Sequence, residues 1–349
     1  MTGRFAPMPQ APATARRQRP RVGCVGVGWI GRSRLASLAA SGLVDVVAVL
    51  DPDPAAMESA SQLLPGAAAC EALDELLAAD LDGVVVATPS ALHASHTAAA
   101  LAAGAAVFCQ KPLARTAPET RELLHAAQRA GRLLAVDLCY RHTRAAQALR
   151  SALDQGEIGR VHAVDLVFHN AYGPDKPWFL QRSQSGGGCL IDLGTHLLDL
   201  ALWLTGAGSM TVDAAHLTRG GQPVEPAGEE VEDFALAQLR TDAGVAVRIA
   251  CSWFLAAGCD CVFEATAYGT EGAVTMRNVG GSFYDFAADR HHGTSRTALV
   301  HPPDEWGGRA IGAWADELVA GAGFDARSWE LVTLAETIDA IYRTAECDC

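Results

Sequence analysis

Residues 22–31 read Val22-Gly-Cys24-Val-Gly26-Val-Gly28-Trp29-Ile30-Gly31, and the helix-forming run Arg34–Ala40 follows at once. A β-branched run that breaks into three glycines and then turns helical describes a strand, a tight turn and a helix whose start faces a phosphate group. Gly26 permits the turn, Gly28 lets a pyrophosphate approach the backbone, and Gly31 lets the helix pack against the strand. Trp29 and Ile30 stand at the helix N-terminus, where backbone N–H groups attract anions. A glycine-rich turn alone also fits a plain turn. The support comes from Asp51, which ends the next apolar run, Val44–Leu50, 20 residues beyond Gly31. An acid there accepts hydrogen bonds from an adenosine 2′-hydroxyl and repels a 2′-phosphate. The expected cofactor is therefore NAD, preferred over NADP, and Asp53 adds a second negative charge. Asp51-Pro-Asp53-Pro54 also has the form of a helix cap followed by proline. Both readings hold together if Asp53 caps and Asp51 binds.

Outward from this stretch, short β-branched runs alternate with longer Ala/Leu-rich ones, the signature of strand-helix-strand units and a parallel sheet. The strands read as Val22–Val27, Val44–Leu50, Gly83–Ala87, Ala105–Cys109 and Leu133–Leu138. Between them lie helical runs over Arg34–Ala40, Asp74–Ala79, Ala91–Ala103 and Pro118–Ala130. After Tyr140 the rhythm changes to one more helix, a long alternating strand over Arg160–His169, a Gly/Pro loop, and a helix from about Cys189. Strands without helices follow, clearest at Val231–Arg240, Val245–Trp253, Val262–Tyr268 and Gly272–Met276. The fold class is thus α/β: an N-terminal Rossmann dinucleotide-binding domain plus a C-terminal α+β domain with a large, mostly antiparallel open sheet. The expected division is a disordered tail over 1–20, a Rossmann domain over 21–141, a substrate and oligomerisation domain over 142–308, and C-terminal helices over 309–349 packing back toward the Rossmann domain.

The chain of 349 residues carries 27 Lys+Arg against 40 Asp+Glu, a net charge of −13. That balance, with no basic block, argues against nucleic acid or an anionic membrane as partner. No uncharged apolar run reaches the about 18 residues a spanning helix needs. Arg16-Arg17 suggests a twin-arginine export signal, but no apolar signal segment follows, and a cytoplasmic location is expected. The 10 cysteines are scattered and read as free thiols. Cys259-x-Cys261 and Cys347-x-Cys349 lack the spacing of zinc knuckles, so no metal site is expected.

Three further stretches carry the chemistry. Thr88-Pro89-Ser90-Ala-Leu-His93 follows the strand at Gly83–Ala87, and Gln110-Lys111-Pro112 follows the one at Ala105–Cys109. Ligands bind beyond the carboxyl ends of an open parallel sheet, which places Thr88, Pro89, Ser90, His93, Gln110 and Lys111 at the cofactor crevice, with Lys111 toward the reacting end. The third is Gly186-Gly-Gly-Cys-Leu-Ile-Asp192-Leu-Gly-Thr-His196-Leu-Leu-Asp199. On a helix, Asp192, His196 and Asp199 share one face beside a stripe of Leu193, Leu197, Leu200 and Leu204. A lone histidine among leucines also fits a satisfied core residue, and a lone lysine a solvated loop. Together, beside a dinucleotide fold, they form a coherent proton-transfer group.

The order of these motifs resembles the Gfo/Idh/MocA oxidoreductases, the group of glucose-fructose oxidoreductase and inositol 2-dehydrogenase, over essentially everything from Arg21 onward. The resemblance implies that Lys111, Asp192 and His196 are catalytic and that Arg141 lies near the substrate. It also implies a CH–OH dehydrogenase or reductase acting on a sugar, sugar derivative or cyclitol. A secondary alcohol cannot lose hydride to nicotinamide unless its hydroxyl proton leaves too, so a base must touch that oxygen. His196 is the expected base, Lys111 the donor to the same oxygen, and Asp192 the group that orients the pair. Two positions depart from the family pattern: Ser90 stands for Asn and Gln110 for Glu. The second removes a carboxylate beside the Lys111 ammonium and is expected to favour the deprotonated lysine.

The loop His169-Asn170-Ala-Tyr172-Gly-Pro-Asp175-Lys176-Pro-Trp178-Phe179 mixes hydrogen-bonding side chains with aromatics, as polyol sites do, and gives His169, Asn170 and Trp178 as substrate contacts beside Arg141, Asp192 and His196. Its aromatics equally fit a loop anchored to the core. Two alternatives to the dehydrogenase stay open: a redox-neutral NAD-dependent glycoside-cleaving enzyme, and a non-catalytic NAD- or sugar-responsive regulator. Members of the family commonly associate through the second sheet, so a homodimer or homotetramer is expected.

Overall fold

A computed structural model describes residues 19–225 and 228–347. The expected tail over 1–20 lies almost wholly outside these residues, as do Arg16-Arg17 and Cys349.

Six strands, β1 (Arg21–Val25), β2 (Asp45–Leu50), β3 (Ala68–Ala69), β4 (Gly83–Val86), β5 (Ala106–Cys109) and β6 (Leu134–Val136), form one parallel sheet in the order β3-β2-β1-β4-β5-β6. This is the doubly wound order whose crevice opens beyond β1 and β4. The two-residue β3 falls in an alanine run without β-branched residues and so gives no strand signal. Helices α1 (Trp29–Ser41), α2 (Pro54–Leu63), α3 (Leu73–Leu77), α4 (Ser90–Ala102) and α5 (Ala117–Ala130) fill the crossovers. Local chemistry sets their ends: Asp53 caps α2 ahead of Pro54, Thr116 caps α5, and Gly42 and Gly131 close α1 and α5 in the left-handed conformation.

After a 3₁₀ turn over Cys139–His142, the chain forms α6 (Arg144–Asp154) and β7 (Val161–Asn170), then a loop with α7 (Arg182–Ser185). A π-helical turn over Leu190–Gly194 runs directly into α8 (Thr195–Thr205). The remaining strands are β8 (Met210–Arg219), β9 (Gln222–Pro223), β10 (Phe234–Thr241), β11 (Ala246–Ser252), β12 (Cys261–Gly269), β13 (Ala273–Asn278), β14 (Phe286–His292) and β15 (Ser295–Val300). With β7 they make a nine-stranded sheet in the order β15-β14-β13-β12-β7-β11-β10-β8-β9, antiparallel except where β11 pairs with β7. The fold class expected from the pattern is the one observed. The segment Arg182–Thr205 is long and apolar enough to span a bilayer, but 89% of its window is buried inside the protein, where it packs beneath the second sheet.

Helices α9 (Arg309–Val319) and α10 (Glu330–Cys347) follow the sheets. Trp314 of α9 sits against Phe108 of β5 at 5.9 Å between ring centroids, in space that Gly83 leaves open, since a Cβ there would lie 2.8 Å from the indole. Burying so large a side chain contributes about 2–3 kcal/mol. On α10, Asp339 accepts from the Ala117 backbone N–H at 3.0 Å and Glu336 pairs with Arg121, which fastens this helix to α5.

Candidate active site

The glycine turn behaves as its spacing predicts. Gly26 has φ +88° and no room for a side chain, since a Cβ would lie 2.4 Å from the Ala87 carbonyl. A Cβ on Gly31 would lie 2.1 Å from the Gly26 carbonyl oxygen, so helix and turn touch there. Gly28 faces open space, with nothing within 4 Å of its Cβ position, at the start of α1. An absent side chain opening onto a helix N-terminus is what a dinucleotide pyrophosphate requires. Asp51 accepts from the Val27 N–H at 2.7 Å through one carboxylate oxygen and from the Asp53 N–H at 2.9 Å through the other. Asp53 in turn accepts from Ala55 N–H at 3.0 Å, so Asp53 caps α2 while Asp51 braces the glycine turn beside it. Trp29 is 69% exposed at the head of α1, with half-buried Ile30 beside it.

The stretches after β4 and β5 meet each other. His93 is buried, and its ring nitrogens lie 2.6 Å from the Pro112 carbonyl and 2.7 Å from the Thr88 carbonyl. The expectation that His93 contacts the cofactor therefore gives way. Its ring is spent tying the turn that carries Thr88, Pro89 and the buried Ser90 to the loop that carries Lys111. Burial lowers its pKa, only partly offset by the two carbonyls. Gln110 also differs from expectation. Its amide Nε2 donates to Asp137 Oδ2 at 2.5 Å, the same oxygen that Arg34 Nε holds at 2.5 Å, and all three side chains are buried. Gln110 thus completes a polar knot among α1, β5 and β6 and does not face the lysine.

The acid that does face Lys111 comes from the π-helical turn. Lys111 Nζ donates to Asp192 Oδ1 at 2.5 Å and to the Asp192 backbone carbonyl at 2.7 Å. Trp253, at the end of β11, donates its indole N–H to the other carboxylate oxygen at 3.1 Å. Both Lys111 and Asp192 side chains keep 18% of their surface open, so the pair is reachable from solvent. His196 stands nearby, 6% exposed, edge-on to Tyr140 at 4.8 Å. Its ring makes no hydrogen bond among the described residues, and Nδ1 is buried. Burial, with help from the Lys111 and Arg34 charges, drives its pKa well below the ordinary imidazole value and leaves the ring neutral at pH 7. A neutral imidazole beside a clamped ammonium is a proton acceptor next to a hydrogen-bond donor.

Asp199 does not join them. It is buried and bound by Arg141, with Nη2–Oδ1 at 2.6 Å and Nε–Oδ2 at 2.9 Å. Arg141 further reaches Glu330 at 3.4 Å and lies over Trp203 at 5.9 Å. The Arg141 guanidinium, expected beside the substrate, is engaged by these two acids and keeps 21% of its side-chain surface open. Of the loop residues, His169 takes Ser252 at 2.8 Å and Asn170 has a buried Oδ1 without a partner, both at the end of the sheet that carries Trp253. Trp178 stacks on Phe179 at 3.8 Å, the anchored-loop arrangement. Sequence reasoning missed Trp253, which reads as an ordinary strand end, and the Arg34–Asp137–Gln110 knot, whose members lie far apart in the chain.

A parallel sheet with an open glycine turn, and a lysine, a carboxylate and a histidine brought together, fits a nicotinamide-nucleotide oxidoreductase. Family comparison agrees. The oxidoreductase-family NAD-binding Rossmann model matches residues 20–138, the GFO/IDH/MocA C-terminal domain model matches residues 146–275, and the chain belongs to the Gfo/Idh/MocA oxidoreductase family. It is 34% identical over 248 residues to a protein provisionally named a UDP-kanosamine synthase oxidoreductase subunit from Amycolatopsis mediterranei (strain S699), spanning 67% of this chain and 68% of that one. It is 31% identical over 261 residues to inositol 2-dehydrogenase of Rhizobium meliloti (strain 1021), spanning 74% and 76%. GenD2 from gentamicin A biosynthesis, solved in complex with NAD, superposes with a TM-score of 0.79 at 28% identity over 99% of this chain and 98% of that one. Solved structures of this fold hold NAD in some cases and NADP in others.

Proposed function

We propose that the protein moves hydride between NAD and a secondary alcohol or ketone of a sugar, sugar derivative or cyclitol. The observation that carries this reading is the Lys111–Asp192 pair with neutral His196 beside it, Lys111 standing just beyond the carboxyl end of β5 in the sheet whose β1 leads into the open Gly28 turn. When bound, the nicotinamide supplies the hydride acceptor. His196 takes the proton of the reacting hydroxyl in oxidation and returns it in reduction. Lys111 donates a hydrogen bond to the same oxygen and stabilises negative charge there, while Asp192, held by Trp253, fixes the ammonium in place. The sugar class is supported by the relatives' names and by the polar groups of His169 and Asn170 at the cleft end of β7. Preference for NAD over NADP is supported by Asp51 and Asp53, two carboxylates where a 2′-phosphate would sit. The test is absorbance at 340 nm with NAD or NADP and a panel of hexoses, amino sugars, sugar acids, nucleotide-linked sugars and inositols, with Lys111→Ala as control. NADH that appears with one polyol and fails to appear with the variant supports the reading. NAD binding without NADH release for any polyol overturns it.

A further inference from the structure

Glu232, in the link that enters β10, is fully buried, and no motif in the sequence singles it out. Its Oε1 accepts three hydrogen bonds: from Gly188 N–H at 2.9 Å, Leu190 N–H at 3.0 Å and the Tyr342 hydroxyl of α10 at 2.8 Å. Its Oε2 is buried with no partner. The Glu232 backbone carbonyl accepts from Cys189 N–H at 3.0 Å. One residue therefore satisfies three successive backbone donors at the start of the helix that carries Asp192 and His196. Those N–H groups have no partner within the helix and would otherwise be stranded in the interior.

Two glycines of the triplet make room for this contact. A Cβ on Gly188 would stand 1.9 Å from the Glu232 carbonyl oxygen, and one on Gly187 would stand 1.9 Å from the Tyr342 hydroxyl. The next residue completes a bracket. The Asp233 carbonyl accepts from Trp253 N–H at 2.7 Å, and the Trp253 indole holds Asp192 Oδ2 at 3.1 Å. Residues 232 and 233 thus set the start of the helix and, through Trp253, the free oxygen of its carboxylate. A buried carboxylate with one oxygen unpartnered costs stability. That cost is understandable if its return is the position of Asp192.

We propose that Glu232, seated by Tyr342, is a positioning residue that places Asp192 against Lys111. This rests on the dehydrogenase reading above and adds to it a group that never touches substrate. A lost anchor lets the π-helical turn shift, and displacements of about 1 Å at a reacting group cost on the order of 100-fold in rate.

The experiment uses the full-length protein and two readouts. One is the ¹⁵N–¹H resonance of the Trp253 indole, assigned with Trp253→Phe, which senses the Asp192 carboxylate without any sugar. The other is the division of the kinetic effect between kcat and the KM for NAD. Glu232→Ala is expected to move the Trp253 resonance and lower kcat about 100-fold while the KM for NAD stays within about twofold. Glu232→Gln keeps an acceptor oxygen in place and is expected to recover kcat to within about threefold of wild type. A folded Glu232→Ala with an unmoved Trp253 resonance overturns the proposal, and so does a loss confined to the KM for NAD. If Glu232→Ala does not fold, Tyr342→Phe decides. Removing one donor should move the same resonance by less and lower kcat about threefold, and no change in either overturns the proposal. Wild-type protein inert toward every sugar fails the dehydrogenase reading alone, because the Trp253 resonance still reports on the anchor.

Discussion

Two ion pairs leave the same helical segment seven positions apart, and they do opposite things. Lys111–Asp192 is short, partly open at both partners, and built from a cation that can give up its proton. Arg141–Asp199 is two-pronged, has its acid 2% exposed, and is built from a cation that keeps its charge at any working pH. The first acid sits in the π-helical turn, the second in regular helix beyond it. A π turn is common where a helix serves a reaction, because it displaces one stretch of backbone from the register of the rest. Equal spacing along a helix selects a face, while the opposing element decides which cation an acid on that face meets.

The strongest way to break the contrast is to remove one member of each pair in turn. Lys111→Ala should lower kcat by about 10²–10⁴-fold with the smaller change in melting temperature, since Asp192 keeps the Trp253 indole N–H as a partner. Asp199→Asn should do the reverse. It leaves a mostly buried guanidinium with only Glu330, costs about 3 kcal/mol in a denaturation experiment, and leaves kcat within about threefold. If Asp199→Asn abolishes turnover in a stable protein, the division into working and bracing pairs is wrong. Gln110→Glu sharpens it. A second carboxylate against Asp137, with only Arg34 between them, should cost about 2 kcal/mol, and the pH–rate profile should stay where it is because Asp192 already faces the lysine.

The smallest effect concerns pH. Burial lowers the pKa of His93, His96, His142, His169 and His196, so the unfolded chain binds protons near pH 6.5 that the folded one refuses. Stability is then full above pH 6.5 and is lost as pH falls below it. For His196 alone the loss is about 1 kcal/mol between pH 7 and 5.5, and His196→Gln should flatten a plot of unfolding free energy against pH by that amount.

The nucleotide half of the molecule was legible because its information is local. Gly26, Gly28, Gly31 and Asp51 carry their meaning in spacing, and the structure gives each glycine the contact or the open space that its spacing requires. Strands β14 and β15 went unread because neither alternates: Phe286–His292 is buried over its first four residues and polar after Ala288, and Ser295–Val300 is exposed over its first four. The reaction half was legible in composition only. Lys111, Asp192 and His196 are brought together, but Gln110 and Arg141 face partners at positions 137 and 199, and no periodicity joins residues so far apart. Trp253 and Glu232 gave no signal because a tryptophan at a strand end and a glutamate in a link are unremarked by any local rule.

The seat of Trp314 has a consequence for how the chain is made. The face of the first sheet around Gly83 and Phe108 is finished by a helix that begins at residue 309, after the whole second sheet. As the chain leaves the ribosome, the nucleotide-binding half stands with that apolar face bare for more than 170 residues of synthesis after its last strand. A stop or a slow codon in that interval leaves a half-covered sheet, the kind of surface that chaperones hold, and completion of the first-made half waits on the last-made helices.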